Sequence, residues 1–299
     1  MTERLKNLGI LLLFLLGTAI FLYPTLSSQW NAYRDRQLLS TYHKQVTQKK
    51  PSEMEEVWQK AKAYNARLGI QPVPDVFSFR DGIHDKNYES LLQIENNDIM
   101  GYVEVPSIKV TLPIYHYTTD EVLTKGAGHL VGSALPVGGD GTHTVISAHR
   151  GLPSAEMFTN LNLVKRGDTF YFRVLNKVLA YKVDQILTVE PDQVTSLSEV
   201  MGKDYATLVT CTQYGVNTKR LLVRGHRIAF HYKKYQQAKK AMKLVDKSRM
   251  WTEVVCAAFG VVIAIILVFM YSKMTDKKVI KNKLALNLHY RTETVVKVK

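Results

Sequence analysis

The chain has 299 residues, of which 46% are hydrophobic, and a formal net charge of +14 at pH 7. This length and apolar content suit one or two folded domains with a sizeable core. The excess of Lys and Arg raises nucleic acid as a partner, but no zinc-finger spacing or nucleic-acid motif accompanies it. Because the basic residues concentrate beside apolar segments, we expect an anionic cell-envelope setting and no nucleic-acid partner.

The chain contains only two cysteines. Cys256 lies inside an apolar run, so Cys211 is the only cysteine of the polar body and no disulfide can form within it. An unpaired cysteine in an exported domain is more often a working thiol than a structural one. The alternative is a small buried hydrophobic side chain.

The N-terminal apolar run covers residues 8–26, carries no charge, and follows Arg4 and Lys6. Its length suits a membrane-spanning helix of about 20 residues. A cleaved signal peptide is the rival interpretation, but no clear small-x-small cleavage site is visible. We therefore expect residues 1–29 to be a cytoplasmic stub followed by an uncleaved transmembrane anchor.

Residues 30–69 predict two helices that pack against the domain and have no catalytic role. In the second helix, Ser52-Glu53-Met54-Glu55 matches a capping box and Gly69 provides a stop signal. Residues 70–87 follow without periodicity and contain Pro72 and Pro74, which is typical of a linker.

Residues 88–232 predict a β domain of short strands separated by turns. Several segments alternate apolar and polar residues, as half-buried strands do. The predicted strands are 100–105, 110–114, 144–148, 169–175, 178–189, 207–210 and 221–230. Short helical pieces are expected only near 120–125 and 154–161. Many short strands with few helices favour a closed β-barrel.

The C-terminal part predicts a second membrane span. Residues 233–250 form a basic juxtamembrane stem, and an apolar run of 18 residues, 254–271, follows Trp251. The tail 272–299 is again basic. We expect a cell-membrane protein with two transmembrane helices, 8–26 and 251–271, an extracellular domain between them, and both termini in the cytoplasm.

Three residues at predicted strand ends suggest thiol chemistry. Cys211 ends the strand of Thr207-Leu208-Val209-Thr210-Cys211, Arg220 opens the next strand nine positions later, and His149 follows the strand 144–148. A thiolate supplies a nucleophile, an imidazole transfers protons, and a guanidinium stabilises an oxyanion. The three residues together predict an acyl-transfer site. Because His149 precedes Cys211, a papain-type protease is disfavoured.

These motifs resemble those of sortases, and the surrounding sequence resembles the class C, pilus-assembling members over roughly residues 30–231. The resembling segments are 151–155, 179–186 and 221–227. The resemblance implies a mainly β fold with an eight-stranded sortase-type barrel, and it supports His149, Cys211 and Arg220 as catalytic residues. His129, His143 and His226 are expected to be structural. Gln213 departs from the proline that usually follows the Cys-Thr pair.

The resemblance also implies a lid in residues 70–87. Class C sortases carry an Asp-Pro-aromatic motif there, and Asp75-Val76-Phe77 is similar to it, with Val76 in place of proline. A carboxylate at Asp75 could pair with Arg220, and the ring of Phe77 could cover Cys211. Without the proline we expect a less rigid turn.

The implied function is transpeptidation between pilins. The donor would be a pilin with an LPxTG-like sorting signal, and the acceptor would be a lysine amine of another pilin, which gives an isopeptide bond. A membrane-anchored cysteine peptidase and a sortase that anchors proteins to the cell wall remain the alternatives. No cofactor and no metal site is expected, because no Cys, His or Asp cluster has ligand spacing.

Overall fold

The computed structural model describes residues 2–68, 84–94, 98–152, 154–212 and 218–240, together with scattered residues between 252 and 273. The chain divides into two compact units, one of Met1–Tyr23 with Lys247–Lys299 and one of Pro24–Asp246. The second unit holds the β domain and all three candidate catalytic residues.

The β domain is a closed barrel of eight strands, which confirms the fold expected from the sequence. In chain order the strands are β1 Ile99–Val105, β2 Val110–His116, β3 Ala127–His129, β4 Thr142–Ser147, β5 Thr169–Val174, β6 Lys177–Val189, β7 Asp204–Thr212 and β8 Lys219–Ile228. Around the barrel they follow the order β1-β2-β3-β4-β7-β8-β6-β5. The β2–β3 and β4–β7 pairs are parallel and the others antiparallel.

Along the chain, the helices of the second unit precede β1, connect β2 to β3 or follow β8. They are α1 Thr2–Gln48, which begins in the first unit, α2 Pro51–Asn65, α3 Lys86–Glu89 and α4 Asp120–Lys125, and a further helix covers 232–240. Both helices predicted for 30–69 and the helical piece near 120–125 are present. The piece predicted for 154–161 is wrong, because that segment forms turns and a 3-10 helix follows at Leu161–Leu163.

The start and stop signals assigned to α2 are also wrong. Lys50 is the N-cap and makes no side-chain capping bond, while Pro51 occupies the first helical position. Proline is favoured there because its missing N–H would have no partner within the helix. Ser52 therefore lies inside the first turn. The helix ends at Asn65, before Gly69, where Ala66 N–H already bonds back to the Lys62 carbonyl.

Among the residues that the structure describes, one helix is long and apolar enough to cross a membrane. This helix covers Leu12–Gln48, and its most apolar stretch is not buried against the rest of the structure. Length and composition alone support this assignment, and a signal sequence would have the same properties. The second predicted span lies almost entirely outside the described residues, so it stays a prediction.

Buried Tyr42 fixes α1 to the barrel. Its hydroxyl donates to the Met100 carbonyl at 3.2 Å and accepts from the Leu175 N–H at 2.8 Å. These two bonds join the helix to β1 and to the turn after β5. The ring is fully buried, and burial of a hydroxyl without a hydrogen-bond partner would cost free energy. The two hydrogen bonds remove that cost.

The turn at 138–141 closes the end of the barrel away from Cys211. Gly138 has φ 63, and a Cβ there would lie 2.6 Å from both Arg227 Nη1 and Asp204 Oδ2. The Asp204 carboxylate accepts from Tyr181 Oη at 2.9 Å and from the Gly139 N–H at 3.0 Å. Glycine is favoured at 138 because this positive φ strains other residues, and a Cβ would also displace the ends of the Arg227 and Asp204 side chains.

We predict that stability falls on acidification because of two buried histidines. Burial lowers the pKa values of His129 and His143 to about 4, whereas the unfolded chain takes up these protons near pH 6.5. The folded state binds fewer protons in this window, so the free energy of unfolding decreases from about pH 6.5 to about pH 4. The cost approaches about 3 kcal/mol per histidine at the low-pH end.

Urea unfolding of the detergent-solubilised chain at several pH values measures this slope. His129→Gln should flatten it, because the titrating group is gone, whereas the exposed control His43→Gln should leave it unchanged. An unaltered slope in His129→Gln would show that the acid sensitivity arises elsewhere.

Candidate active site

Cys211 and Arg220 face each other on neighbouring antiparallel strands. Cys211 lies in β7 one residue before its end, Arg220 is the second residue of β8, and the register pairs the two directly. Arg220 Nη1 lies 3.6 Å from Cys211 Sγ. The thiol is largely buried, with 8% of the residue exposed. The pairing of β7 with β8 therefore places the arginine beside the cysteine, as expected from the sequence.

His149 joins them through the parallel pairing of β4 with β7. Ser147 pairs with Val209, and the Ala148 N–H donates to the Val209 carbonyl at 3.2 Å. The same register, continued past the end of β4, brings His149 level with Cys211. All three predicted catalytic residues thus lie at one edge of the barrel.

A threonine hydroxyl joins the two strand ends. Thr210 Oγ1 donates to the Ala148 carbonyl at 2.8 Å, and the threonine is fully buried. The bond joins the residue before Cys211 to the residue before His149. Further down the same strands, Thr207 Oγ1 lies 2.7 Å from His143 Nε2. Both threonines belong to the motif 207–211, but the motif itself does not indicate their partners.

Two effects act on the pKa of His149: burial of the ring and the charge of one nearby carboxylate. Burial lowers the pKa of His149 below its ordinary value, and the negative charge of Asp120 opposes this shift. Asp120 begins α4, where Thr119 caps the helix. The sequence does not single out Asp120 among the carboxylates, because its effect on His149 depends on how α4 packs beside β3.

The other arginines of β8 have structural partners. Arg224 forms a two-pronged ion pair with Asp184, with its Nε 3.0 Å from Oδ1, and lies over the Tyr205 ring at 4.2 Å. Arg227 lies 3.3 Å from an oxygen of Asp204. Arg220 is therefore the β8 arginine positioned to act on the thiol.

The expected structural histidines have polar partners. His129 and His143 are buried, with Nε2 of His129 2.9 Å from the Ala134 carbonyl and Nδ1 of His143 3.0 Å from the Ser198 carbonyl. His226 Nδ1 lies 3.5 Å from Asp184.

An apolar cluster lies on the same face of the sheet as Cys211. Val209 and Leu222 are each two residues from a candidate catalytic residue, and alternate residues of a strand share a face. The buried members of the cluster are Leu130, Val145, Leu197, Val209 and Leu222. Leu187 and Val189 pack against this cluster and are only partly buried, so they leave apolar surface beside Arg220, which pairs with Val189.

Two predicted features lie outside the described residues. These are the lid anchors Asp75 and Phe77, and Gln213, which follows the Cys-Thr pair. Within the described part of the chain, no group of three or more His, Cys, Asp or Glu could hold a metal ion.

Comparisons with known proteins identify the family of the domain that carries this site. A family profile described as the sortase domain matches residues 103–228, which include the three candidate catalytic residues. Sortase C of Streptococcus pneumoniae is 45% identical, with a TM-score of 0.62 over 65% of this chain and 97% of that one. Sortase C1 of Streptococcus agalactiae is 42% identical, with a TM-score of 0.60 over 65% of this chain and all of that one.

A more distant relative is Sortase A of Staphylococcus aureus, which is 32% identical over 139 residues. The match covers 45% of this chain and 66% of that protein, so the chain spans slightly less than two thirds of this relative.

We predict that removing the Thr210 hydroxyl impairs catalysis by loosening the two strand ends. Thr210→Val keeps the shape but leaves the buried Ala148 carbonyl without this donor, at a cost of about 1–2 kcal/mol. If that cost falls on the alignment of Cys211 with His149, kcat/KM for cleavage of a sorting-signal peptide drops about tenfold. The matched control Thr207→Val should mainly lower the unfolding temperature. Equal effects of the two variants on kcat/KM would contradict the prediction.

Proposed function

The chain belongs to the sortase family of cysteine transpeptidases and groups with its class C members, and from this premise we propose that it polymerises pilins. The observation that carries the proposal is the direct pairing of Cys211 with Arg220, 3.6 Å apart from Sγ to Nη1. The alignment of His149 with the same strand end adds a proton-transfer group.

Cys211 is the proposed nucleophile. Its thiolate attacks the carbonyl carbon of a peptide bond in the donor, the C–N bond breaks, and the released amine leaves with a proton. The acyl group stays on Sγ as a thioester. An amine of the acceptor then attacks this thioester, loses a proton and forms a new amide, which regenerates the thiolate. One amide replaces another, so the exchange requires no ATP.

His149 and Arg220 act on different charges along this path. The imidazole gives a proton to the leaving amine and takes one from the incoming amine. The Arg220 guanidinium donates hydrogen bonds to the oxyanion that develops on the attacked carbonyl oxygen. Its place opposite Cys211 supports this role because the oxyanion forms on the carbon that bonds the sulfur. Asp120, whose charge favours the imidazolium, would support the protonated form of His149.

The proposed donor is a pilin with an LPxTG-like sorting signal, and the proposed acceptor is a lysine amine of another pilin. The pneumococcal sortase C, 45% identical to this chain, is described in connection with pilin substrate specificity. The partly buried Leu187 and Val189, which pack against the apolar cluster, offer nonpolar surface for such a signal. No cofactor or metal takes part in this chemistry.

The proposed setting is the cell membrane. Residues 8–26 and 251–271 would anchor the chain, with the catalytic domain outside and both termini in the cytoplasm. Asp75 and Phe77 would form a lid over the site, with the carboxylate paired to Arg220 and the ring covering the thiol. A lid that restricts access would also protect the thioester from water.

Intact-mass measurement of the enzyme mixed with sorting-signal peptides and a lysine-bearing acceptor tests the proposal. We expect an acyl adduct on Cys211 that the acceptor converts into a ligated product, with a stronger signal in Asp75→Ala combined with Phe77→Ala. Cys211→Ala should give neither species. Arg220→Lys should retain the charge but lose the planar fork of donors, and should slow adduct formation at least tenfold.

Three outcomes would point elsewhere. Clearance of the adduct by water alone, even with excess lysine acceptor, would favour a cysteine peptidase. Transfer to an α-amine peptide but not to a lysine side chain would favour a cell-wall anchoring enzyme. Absence of any adduct, together with an unreactive Cys211 in the lid variant, would remove the catalytic role.

A further inference from the structure

The segment that follows His149 depends on contacts from other parts of the chain. Met157 has φ 40, a left-handed conformation that is uncommon for a residue other than glycine. Met157 and Phe158 are buried, and the Phe158 N–H donates to the His149 carbonyl at 3.0 Å. A strained backbone of this kind persists only where its surroundings hold it. The segment 150–160 is therefore tied to the backbone of His149.

One of the contacts that hold this segment comes from α1, more than a hundred residues earlier in the chain. Asn31 Nδ2 donates to the Ser154 carbonyl at 2.8 Å, and this bond is partly buried. Inside the segment, the Gly151 N–H donates to Thr159 Oγ1 at 3.0 Å. A displacement of Ser154 would therefore shift this segment and, through the Phe158–His149 hydrogen bond, the backbone of His149.

The same face of α1 contacts the second element beside His149. Arg34, one turn after Asn31, donates from Nη2 to the Lys125 carbonyl at 3.4 Å. Lys125 ends α4, whose first residue is Asp120, the carboxylate that acts on His149. Residues three apart on a helix lie on one side. This side of α1 therefore touches both the loop that follows His149 and the helix that carries its charged neighbour.

We propose that Asn31 is a positioning residue for the transpeptidase reaction, because it holds the segment 150–160 and through it the imidazole of His149. This inference rests on the proposed role of His149 as the proton-transfer group. It gives α1 a part in catalysis, whereas the sequence predicted only a packing role for this helix. Arg34 is more exposed and makes the longer bond, so Asn31 makes the larger contribution.

Steady-state kinetics of the full-length chain in detergent, with a sorting-signal peptide as donor and a lysine acceptor, test the proposal. Asn31→Ala should lower kcat about tenfold and leave KM for the donor peptide unchanged, since a small misplacement of a catalytic group affects the chemical step. Asn31→Asp should lower kcat at least as far, because a carboxylate cannot donate to the Ser154 carbonyl. Asn31→Gln keeps the amide donor and should restore most of the rate.

The matched control is Gln37→Ala on the same helix. Gln37 is an amide whose hydrogen bond goes to Tyr33 within α1, so its removal leaves the loop untouched and should not change kcat. Unfolding temperatures of all variants identify any that are simply destabilised.

The pKa of His149, followed by NMR of its ring protons and assigned with His149→Gln, separates positioning from a general structural effect. A loosened loop exposes the imidazole, so in Asn31→Ala the burial that lowers this pKa is reduced and the pKa should rise toward its ordinary value. An unchanged kcat in Asn31→Ala and Asn31→Asp would overturn the proposal. A lower kcat with an unchanged His149 pKa, or a higher KM with an unchanged kcat, would also overturn it.

The assay also separates this inference from the function on which it rests. If wild-type protein forms no ligated product, or if His149→Gln is fully active, the proposed function or the role of His149 has failed. If wild type is active, His149→Gln is inactive and the Asn31 variants match wild type, only the role of Asn31 has failed.

Discussion

The register of β4, β7 and β8 is the constraint on which the candidate site depends. Parallel pairing of β4 with β7 aligns His149 with Cys211, and antiparallel pairing of β7 with β8 places Arg220 opposite the thiol. A shift of one residue in either pair would turn a side chain to the other face of the sheet. Closure of the barrel opposes such a shift, because each strand is bonded on both sides.

Side-chain hydrogen bonds reinforce this register where the ladder ends. The Thr210 hydroxyl bonds the Ala148 carbonyl, one residue before each of the two reacting side chains. Because Cys211 and His149 follow immediately, small rotations of either strand end change their separation. The Asn31–Ser154 bond acts on the other side of His149. The histidine is thus restrained from both directions along the chain, while its ring stays only half buried and able to exchange protons.

Much of the barrel could be predicted from the sequence because alternation and turn residues are local signals. Seven strands and the short helix at Asp120–Lys125 follow from them, and the Cys-His-Arg set follows from its motifs. β3 has only three residues, Ala127–His129, too few for a pattern. The segment 154–161 has helix-forming composition, but bonds to Asn31 and His149 hold it in turns. Ser52 fits a capping box, yet the N-cap is Lys50, two residues earlier, and Pro51 is the first helical residue. The miss at 154–161 thus involves contacts that local sequence does not encode, whereas the misplaced start of α2 overlooked a local signal, proline at the first helical position.

The same geometry also explains why the catalytic groups alone do not decide the product. In the proposed mechanism a thioester on Cys211 is open to both water and an amine, since both attack the same carbonyl carbon and give up a proton to the same base, His149. Water is far more concentrated, so an amine wins only if the protein binds and orients it, which raises its effective concentration at the thioester. Selection of lysine over water must therefore come from surfaces around the three residues. The acceptor amine requires a contact of its own beside His149, where Asp120 of α4 and the segment 154–160 lie.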